Sequence, residues 1–167
     1  DVVGLIGGSN IETNTTSLST KLGYEAMPSE NETTAKYNLS IGYRAGFTIG
    51  AGAGNIGLGA FANNSITSQN YNTSIGFNAN KFNTGSNNTS IGVETNYITS
   101  SGSNNICIGY KAGRDNTLSN RLFINSLDRG NLAGDTTNSI IYGYMDSAPS
   151  LQRLTFNAKT YVNNSFN

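Results

Sequence analysis

The chain has 167 residues, enough for one domain with a sizeable core, yet 20 are Gly, only 2 are Pro, and Trp and His are absent. Ten basic and ten acidic residues cancel, and charged residues make up only 12%, which excludes a basic field for nucleic acid or for an anionic membrane surface. The absence of His removes the commonest general base and with it Ser-His-Asp, Cys-His and His-ligated metal chemistry, while the lone Cys107 excludes an internal disulfide framework and a multi-cysteine zinc site.

The opening "DVVGLIGGSN" has no basic region, apolar core or Met of a signal peptide, and no apolar run reaches bilayer-spanning length. The expectation is a processed piece or an excerpt of a longer chain, with no membrane insertion. Beyond it a motif recurs. Aligned on its Gly, the copies are Leu22-Gly23, Ile41-Gly42, Leu58-Gly59, Ile75-Gly76, Ile91-Gly92 and Ile108-Gly109, with Ile124-Asn125 next, at steps of 19, 17, 17, 16, 17 and 16 residues. Ile6-Gly7, 16 residues upstream of the first, reads as a degenerate copy. Such a fixed period is the mark of a solenoid.

Within each copy the apolar positions alternate, so the motif is a strand with these side chains on one face. Leu39, Ile56, Thr73, Thr89 and Ile106 precede the Gly by three positions, and Tyr43, Ala60, Phe77, Val93 and Tyr110 follow it by one. Ala45, Ala62, Ala79, Thr95 and Ala112 follow it by three. The opposite face carries Asn38, Asn55, Asn72, Asn88 and Asn105, then Ser40, Gly57, Ser74, Ser90 and Cys107. A column held to Ser, Gly and Cys is crowded by a neighbour, whereas Arg44, Phe61, Asn78, Glu94 and Lys111 form a column that tolerates anything and faces solvent. Cys107 reads as a small packed residue, not a reactive thiol.

Turn formers such as "NTGSNN" and "ITSSGSNN" separate the strands, and no stretch has a helical period. Stacked at about 4.8 Å per coil, six or seven coils make a rod of roughly 30 Å. The apolar face of so thin a coil encloses little volume, so the Ser and Gly face is expected to pack against other copies of the chain in a homotrimer.

"YNLSIGYRAG", "YNTSIGFNAN", "NNTSIGVETN" and "NNICIGYKAG" resemble the Asn-x-x-Ile-Gly-x-x-Ala repeats of trimeric phage tail fibres. They are also similar to the head repeats of trimeric autotransporter adhesins, whose chains form left-handed parallel β-rolls about a threefold axis. The resemblance spans roughly residues 17 to 125. Farther on, "NRLFINS", "SIIYGYM" and "LTFNAKTYVNN" resemble the transition that leads into a C-terminal intramolecular chaperone in such fibres. That chaperone assembles the trimer and is in some cases cleaved; here it is removed, outside the excerpt, or absent. From the residues alone the tail supplies three strands, around Leu122 and Ile124, Ile140 to Tyr144, and Leu154 to Val162. Solenoid ends need such a cap.

The expected fold is therefore all-β: a trimeric parallel β-solenoid of about 16 to 17 residues per coil over residues 1–125, with a small β-rich cap or tip over 126–167. The implied function is that of a fibre segment, structural and adhesive, on a virion or a cell surface, with a host-surface glycan or protein as partner. It is not an enzyme and takes no cofactor or metal. Arg121, Asp128, Arg129, Tyr142, Tyr144 and Arg153, in the less repetitive tail, are the candidate receptor-binding residues, because aromatic and charged groups suit sugars and protein loops.

Competing readings rest on particular residues. A bacterial adhesin head shares the same repeats. A tailspike-like hydrolase needs paired carboxylates, for which Glu94, Asp115, Asp128, Asp135 and Asp146 are the candidates. An ice-binding solenoid needs a flat Thr array, and only Thr73, Thr89 and Thr95 qualify. Glycosylation patterns at Asn14, Asn31, Asn38, Asn63, Asn72, Asn87, Asn88 and Asn163 read instead as hydrogen-bonding Asn at turns. "GLIGGSN" and "GAGAGNIGLG" open no helix and precede no basic residue, so they are not phosphate loops.

Overall fold

A computed structural model describes residues 2–6, 9–14, 16–31, 33–98 and 101–158. One hydrogen-bonded sheet runs through them in sequence order. Strands β1 (Val2–Ile6), β2 (Ser9–Asn14) and β3 (Ser19–Leu22) form an antiparallel meander. From β3 the chain coils, and β4 (Leu39–Ile41), β5 (Ile56–Leu58), β6 (Thr73–Ile75), β7 (Thr89–Ile91), β8 (Ile106–Ile108) and β9 (Arg121–Ile124) pair in parallel, each one coil on from the last. β10 (Ile141–Tyr144) and β11 (Arg153–Phe156) then turn back antiparallel. The chain is thus a parallel β-solenoid with a small β-rich C-terminal cap.

Two expectations about the ends change. Ile6 lies in an antiparallel hairpin, so the motif beginning there is not a first coil, and Gly7 is outside the described residues. In the cap a short helix, α1 (Leu132–Asn138), stands between β9 and β10. Of its seven residues only Leu132 is large and apolar, which offers no stripe to read; it starts because the Asn131 side chain accepts from the Gly134 N–H, satisfying one of the unpaired donors of a helix start. Tyr161 and Val162, assigned to the third cap strand, are outside the described residues.

The larger correction concerns which face is inside. Ser40, Ser74, Ser90 and Cys107 are fully buried, as are Ala45, Ala62, Ala79 and Ala112, while Ile41, Ile75, Ile91 and Ile108 are each 37% exposed. The Ser, Asn and Ala columns line the interior of the coil and the Ile column lies outside. Volume is the reason. A loop this short closes around little more than small side chains, and branched ones on its inner wall would overpack it. Among the described residues apolar bulk enters at two places, one where Met27, Ile49 and Ile66 cluster with Ala35, the other at the cap, where Phe123 packs with Cys107 and Ala112. The Ser, Gly and Cys column is crowded as expected, by the chain's own turns and not by another subunit.

An interior this polar holds only if its groups are paired. Each buried Asn of the repeat bonds to the next. Asn55, Asn72 and Asn88 donate from Nδ2 to Oδ1 of Asn38, Asn55 and Asn72 at 3.2, 3.3 and 3.1 Å, and the same three oxygens accept the backbone N–H groups of Asn55, Asn72 and Asn88. The second amide proton reaches a turn carbonyl, Gly85 O for Asn72 and Gly102 O for Asn88, both at 3.0 Å. A second chain links Asn63, Asn80 and Asn96. Asn38, Asn63, Asn72 and Asn88, which also fit the glycosylation pattern, are buried in these ladders.

Glycine closes the motif for a separate reason. Gly42, Gly59, Gly76 and Gly92 have φ between +128° and +133°, and a Cβ at any of them would meet the backbone of the glycine one coil on at 2.4 to 2.7 Å. Coil-to-coil contact there is backbone on backbone.

Candidate functional site

Two surfaces stand out, one on each face of the sheet. The first follows directly from the inverted coil. Leu22, Ile41, Leu58, Ile75, Ile91, Ile108, Ile124, Ile141 and Phe156 occupy one register row, strand after strand, from the first coil through the cap. A parallel row on the same face holds Leu39, Ile56, Thr73, Thr89, Ile106, Leu122, Gly143 and Leu154. Neither contains a charge.

At the inter-strand spacing the first row is about 40 Å long. Aromatic rings flank it: Tyr24 stacks on Tyr43 at 5.7 Å, Tyr43 meets Phe61 edge-on at 5.1 Å, and Phe61 meets Phe77 at 6.2 Å. Where Ala60 interrupts the aromatic column, Phe61 from the neighbouring position supplies the ring. Tyr43, Phe77, Val93 and Tyr110 are all 40% exposed or more.

The second surface is a groove in the cap, on the opposite side of the sheet. Phe123 pairs in register with buried Cys107, so the Arg121 and Phe123 side of β9 continues the interior wall of the coil. Antiparallel pairing then places Arg121, Tyr144 and Arg153 side by side across β9, β10 and β11, with Phe123, Tyr142 and Thr155 as the next row. Helix α1 forms the far wall. The resulting groove, about 570 Å³, is lined by Arg121, Thr136, Thr137, Tyr142, Tyr144, Arg153, Thr155 and Asn157.

Four of the sequence candidates, Arg121, Tyr142, Tyr144 and Arg153, meet in this groove. The Arg121 guanidinium lies 4.2 Å over the Tyr144 ring and donates from Nη1 to the carbonyls of Ser119 and Asn120. Tyr144 donates its hydroxyl to Asp146 Oδ2 at 2.6 Å, which holds the Asp146 carboxyl below its ordinary value and raises the phenol. Tyr142 packs against Phe123 at 5.2 Å.

Asp128 and Arg129 lie apart from it. Asp128 pairs with Lys111 at 2.8 Å, and Arg129 forks onto Asn125 Oδ1. Thr136, Thr137, Thr155 and Asn157 were not legible beforehand: α1 has no periodic signal, and Thr and Asn are too common in this chain to single out.

The carboxylates considered for hydrolysis are placed as follows. Glu94 faces Arg114 and Lys111, Asp115 faces Arg114, and Asp128 faces Lys111. Asp135 is 1% exposed, and its Oδ2 accepts the Asp115 N–H at 3.1 Å, tying α1 to the last turn of the solenoid. Burial pushes its carboxyl up to about 6, with the negative charges of Asp115 and Asp128 adding and the Asp115 N–H and Arg114 opposing. Cys107 is enclosed, and burial pushes its thiol up as well.

Asp135 sets a pH dependence. Its folded-state value lies above the ordinary 3.8, so the native state holds the proton more tightly than the unfolded chain does. Its contribution is fully present below pH about 4 and is lost as pH rises through about 6, at a cost on the order of 3 kcal/mol. Asp128 and Asp146, held low, act in the opposite direction at more acidic pH. Asp135→Asn keeps an acceptor for Asp115 N–H without the charge. The variant is expected to melt higher than the parent at pH 7 and to flatten the pH 4 to 6.5 slope; equal melting temperatures at pH 7 would contradict this.

The chain matches no family model, no characterised protein sequence and no solved structure.

Proposed function

We propose that this chain is a structural and adhesive segment of a homotrimeric surface fibre, of the phage tail-fibre kind, that carries a recognition surface at its C-terminal end. The observation that supports it is the uncharged row from Leu22 to Phe156, partly exposed on every strand from β3 to β11. Exposed apolar patches of this extent mark an interaction surface. Identical copies arranged in parallel about an axis along the rod bring equal coils to equal heights, so each Ile meets its own counterpart and all caps lie at one end. The face comes from the coil geometry; the number three comes from the resemblance of the repeats to trimeric fibres.

The packing expected from sequence, with Ser and Gly at the subunit contact, gives way to packing through Ile, Leu and the flanking rings. Removing such a face from water at about 25 cal/mol per Å² supplies the stability that a narrow, Asn-lined coil lacks by itself.

Ile75→Lys combined with Ile91→Lys tests the face. Both side chains point out of the coil, so the fold tolerates the change while the interface does not. Sedimentation equilibrium is expected to give a smaller particle than the parent with the β-sheet circular dichroism retained; an unchanged mass would place the contact elsewhere.

A further inference from the structure

We infer that the cap groove binds an acidic saccharide, with the Arg121–Tyr144–Arg153 row gripping a sugar carboxylate. Three features point to this chemistry. The first is unspent positive charge. Among the described residues, Arg44 pairs with Glu25, Arg114 with Glu94 and Asp115, and Arg129 with the Asn125 amide oxygen. Neither Arg121 nor Arg153 has a carboxylate partner among the described residues, and they flank the same tyrosine, whose hydroxyl and ring Arg121 engages. The Arg121 Nε is buried with no hydrogen-bond partner. A guanidinium presents a planar fork that matches a carboxylate in two parallel bonds, which makes such a pair stronger and more directional than a lysine contact.

The second feature is the remainder of the lining. Thr136 and Thr137 both spend their hydroxyl protons on the Ala133 carbonyl, at 3.0 and 2.7 Å, which leaves their oxygens to accept. Asn157 donates from Nδ2 to the Ser139 carbonyl, leaving its Oδ1 to accept. Acceptors beside donors, with tyrosine rings between, match the alternating hydroxyl and C–H surface of a pyranose. Little here suits a lipid tail or a hydrophobic peptide anchor.

The third is dimension and charge. A volume of about 570 Å³ suits a short oligosaccharide segment, and two arginines offset by Asp146 are too weak a field for a polyphosphate. The groove is on the side of the sheet opposite the apolar rows, so assembly through those rows leaves it open. Resting on the fibre reading for its setting, the groove then occurs once per chain at a common end of the rod. Repeated weak sites add by avidity on a polymer that carries the same acidic residue many times.

The test is titration calorimetry of the assembled wild-type protein with a trimer of N-acetylneuraminic acid and a trimer of galacturonic acid, each beside its carboxyl-reduced form, and with oligo-glutamate. Saturable binding of either acidic sugar, lost on carboxyl reduction, is expected. Arg153→Gln, whose side chain is exposed, is expected to weaken it about tenfold or more, and Lys36→Gln, which removes the same charge away from the groove, to leave it unchanged. Arg121→Lys tests the fork and should weaken binding too.

Equal affinity for reduced sugar, equal affinity for oligo-glutamate, no binding of any probe, or an unaffected Arg153→Gln would each overturn the assignment. A trimer that binds no acidic sugar would sink the groove and leave the fibre standing. A monomer that binds it would do the reverse.

Discussion

Gly76→Ala is expected to be among the most damaging single-methyl changes in this chain, lowering stability by more than about 3 kcal/mol. Gly76 has φ +131°, where an L side chain is strained, and the added Cβ would lie 2.4 Å from the Gly92 carbonyl oxygen. That oxygen belongs to the backbone of the next coil, so nothing can rotate aside, and relief requires the two coils to separate where the Gly92 N–H donates to the Ile75 carbonyl at 2.7 Å. Gly130→Ala is the matched control. Its φ is +77°, but nothing lies within 4 Å of its Cβ, so the backbone penalty acts alone and about 1 kcal/mol is expected. Urea midpoints distinguish the two; equal shifts would mean that the glycine column is kept for its torsion and not for contact between coils.

Asn72→Ala should cost about 3–5 kcal/mol, more than a buried Leu-free interior would suggest. The Asn72 amide donates to Asn55 Oδ1 and Gly85 O and accepts from both the backbone and side-chain nitrogens of Asn88, all inside the coil. Its loss leaves the Gly85 carbonyl and the Asn88 N–H buried without those partners, and each orphaned group costs about 1–3 kcal/mol. Asn138→Ala, exposed at the end of α1, should change stability by less than about 0.5 kcal/mol. A small effect at Asn72 would show that water enters the coil and replaces the ladder.

These two predictions rest on what the sequence disclosed only in part. Period, strand position and parallel stacking were legible because Ile-Gly recurs at a near-constant step and because Leu39, Ile41 and Tyr43 alternate. The direction of the alternation was not, since hydrophobicity favours Ile41 inside whereas the volume enclosed by the coil favours Ser40. Size wins when the loop is this short, and the asparagines make a polar interior tenable. The N-terminal meander was hidden for a related reason: Ile6-Gly7 carries the motif, but pairing direction depends on the turn between β1 and β2 and not on the two residues. Helix α1 was hidden because it is held by one cap and by the Asp135 contact to Asp115, with no apolar face to announce it.

For the candidate site, residue type found Arg121, Tyr142, Tyr144 and Arg153, and strand register explains why those four converge. Asp128 and Arg129 have the same chemistry but sit on the turn after β9, where Lys111 and Asn125 engage them. The Thr and Asn residues that complete the groove carry no signal until the helix and β11 are placed around it.

In the proposed fibre the fold is completed by copies of itself, through the apolar row that the inverted coil turns outward. Light scattering of the purified chain across a urea series tests that most directly. A mass three times 17.6 kDa that persists until the β-sheet signal is lost is expected, because the face and the coil support one another. A folded particle of 17.6 kDa with its row of Ile in water would contradict it.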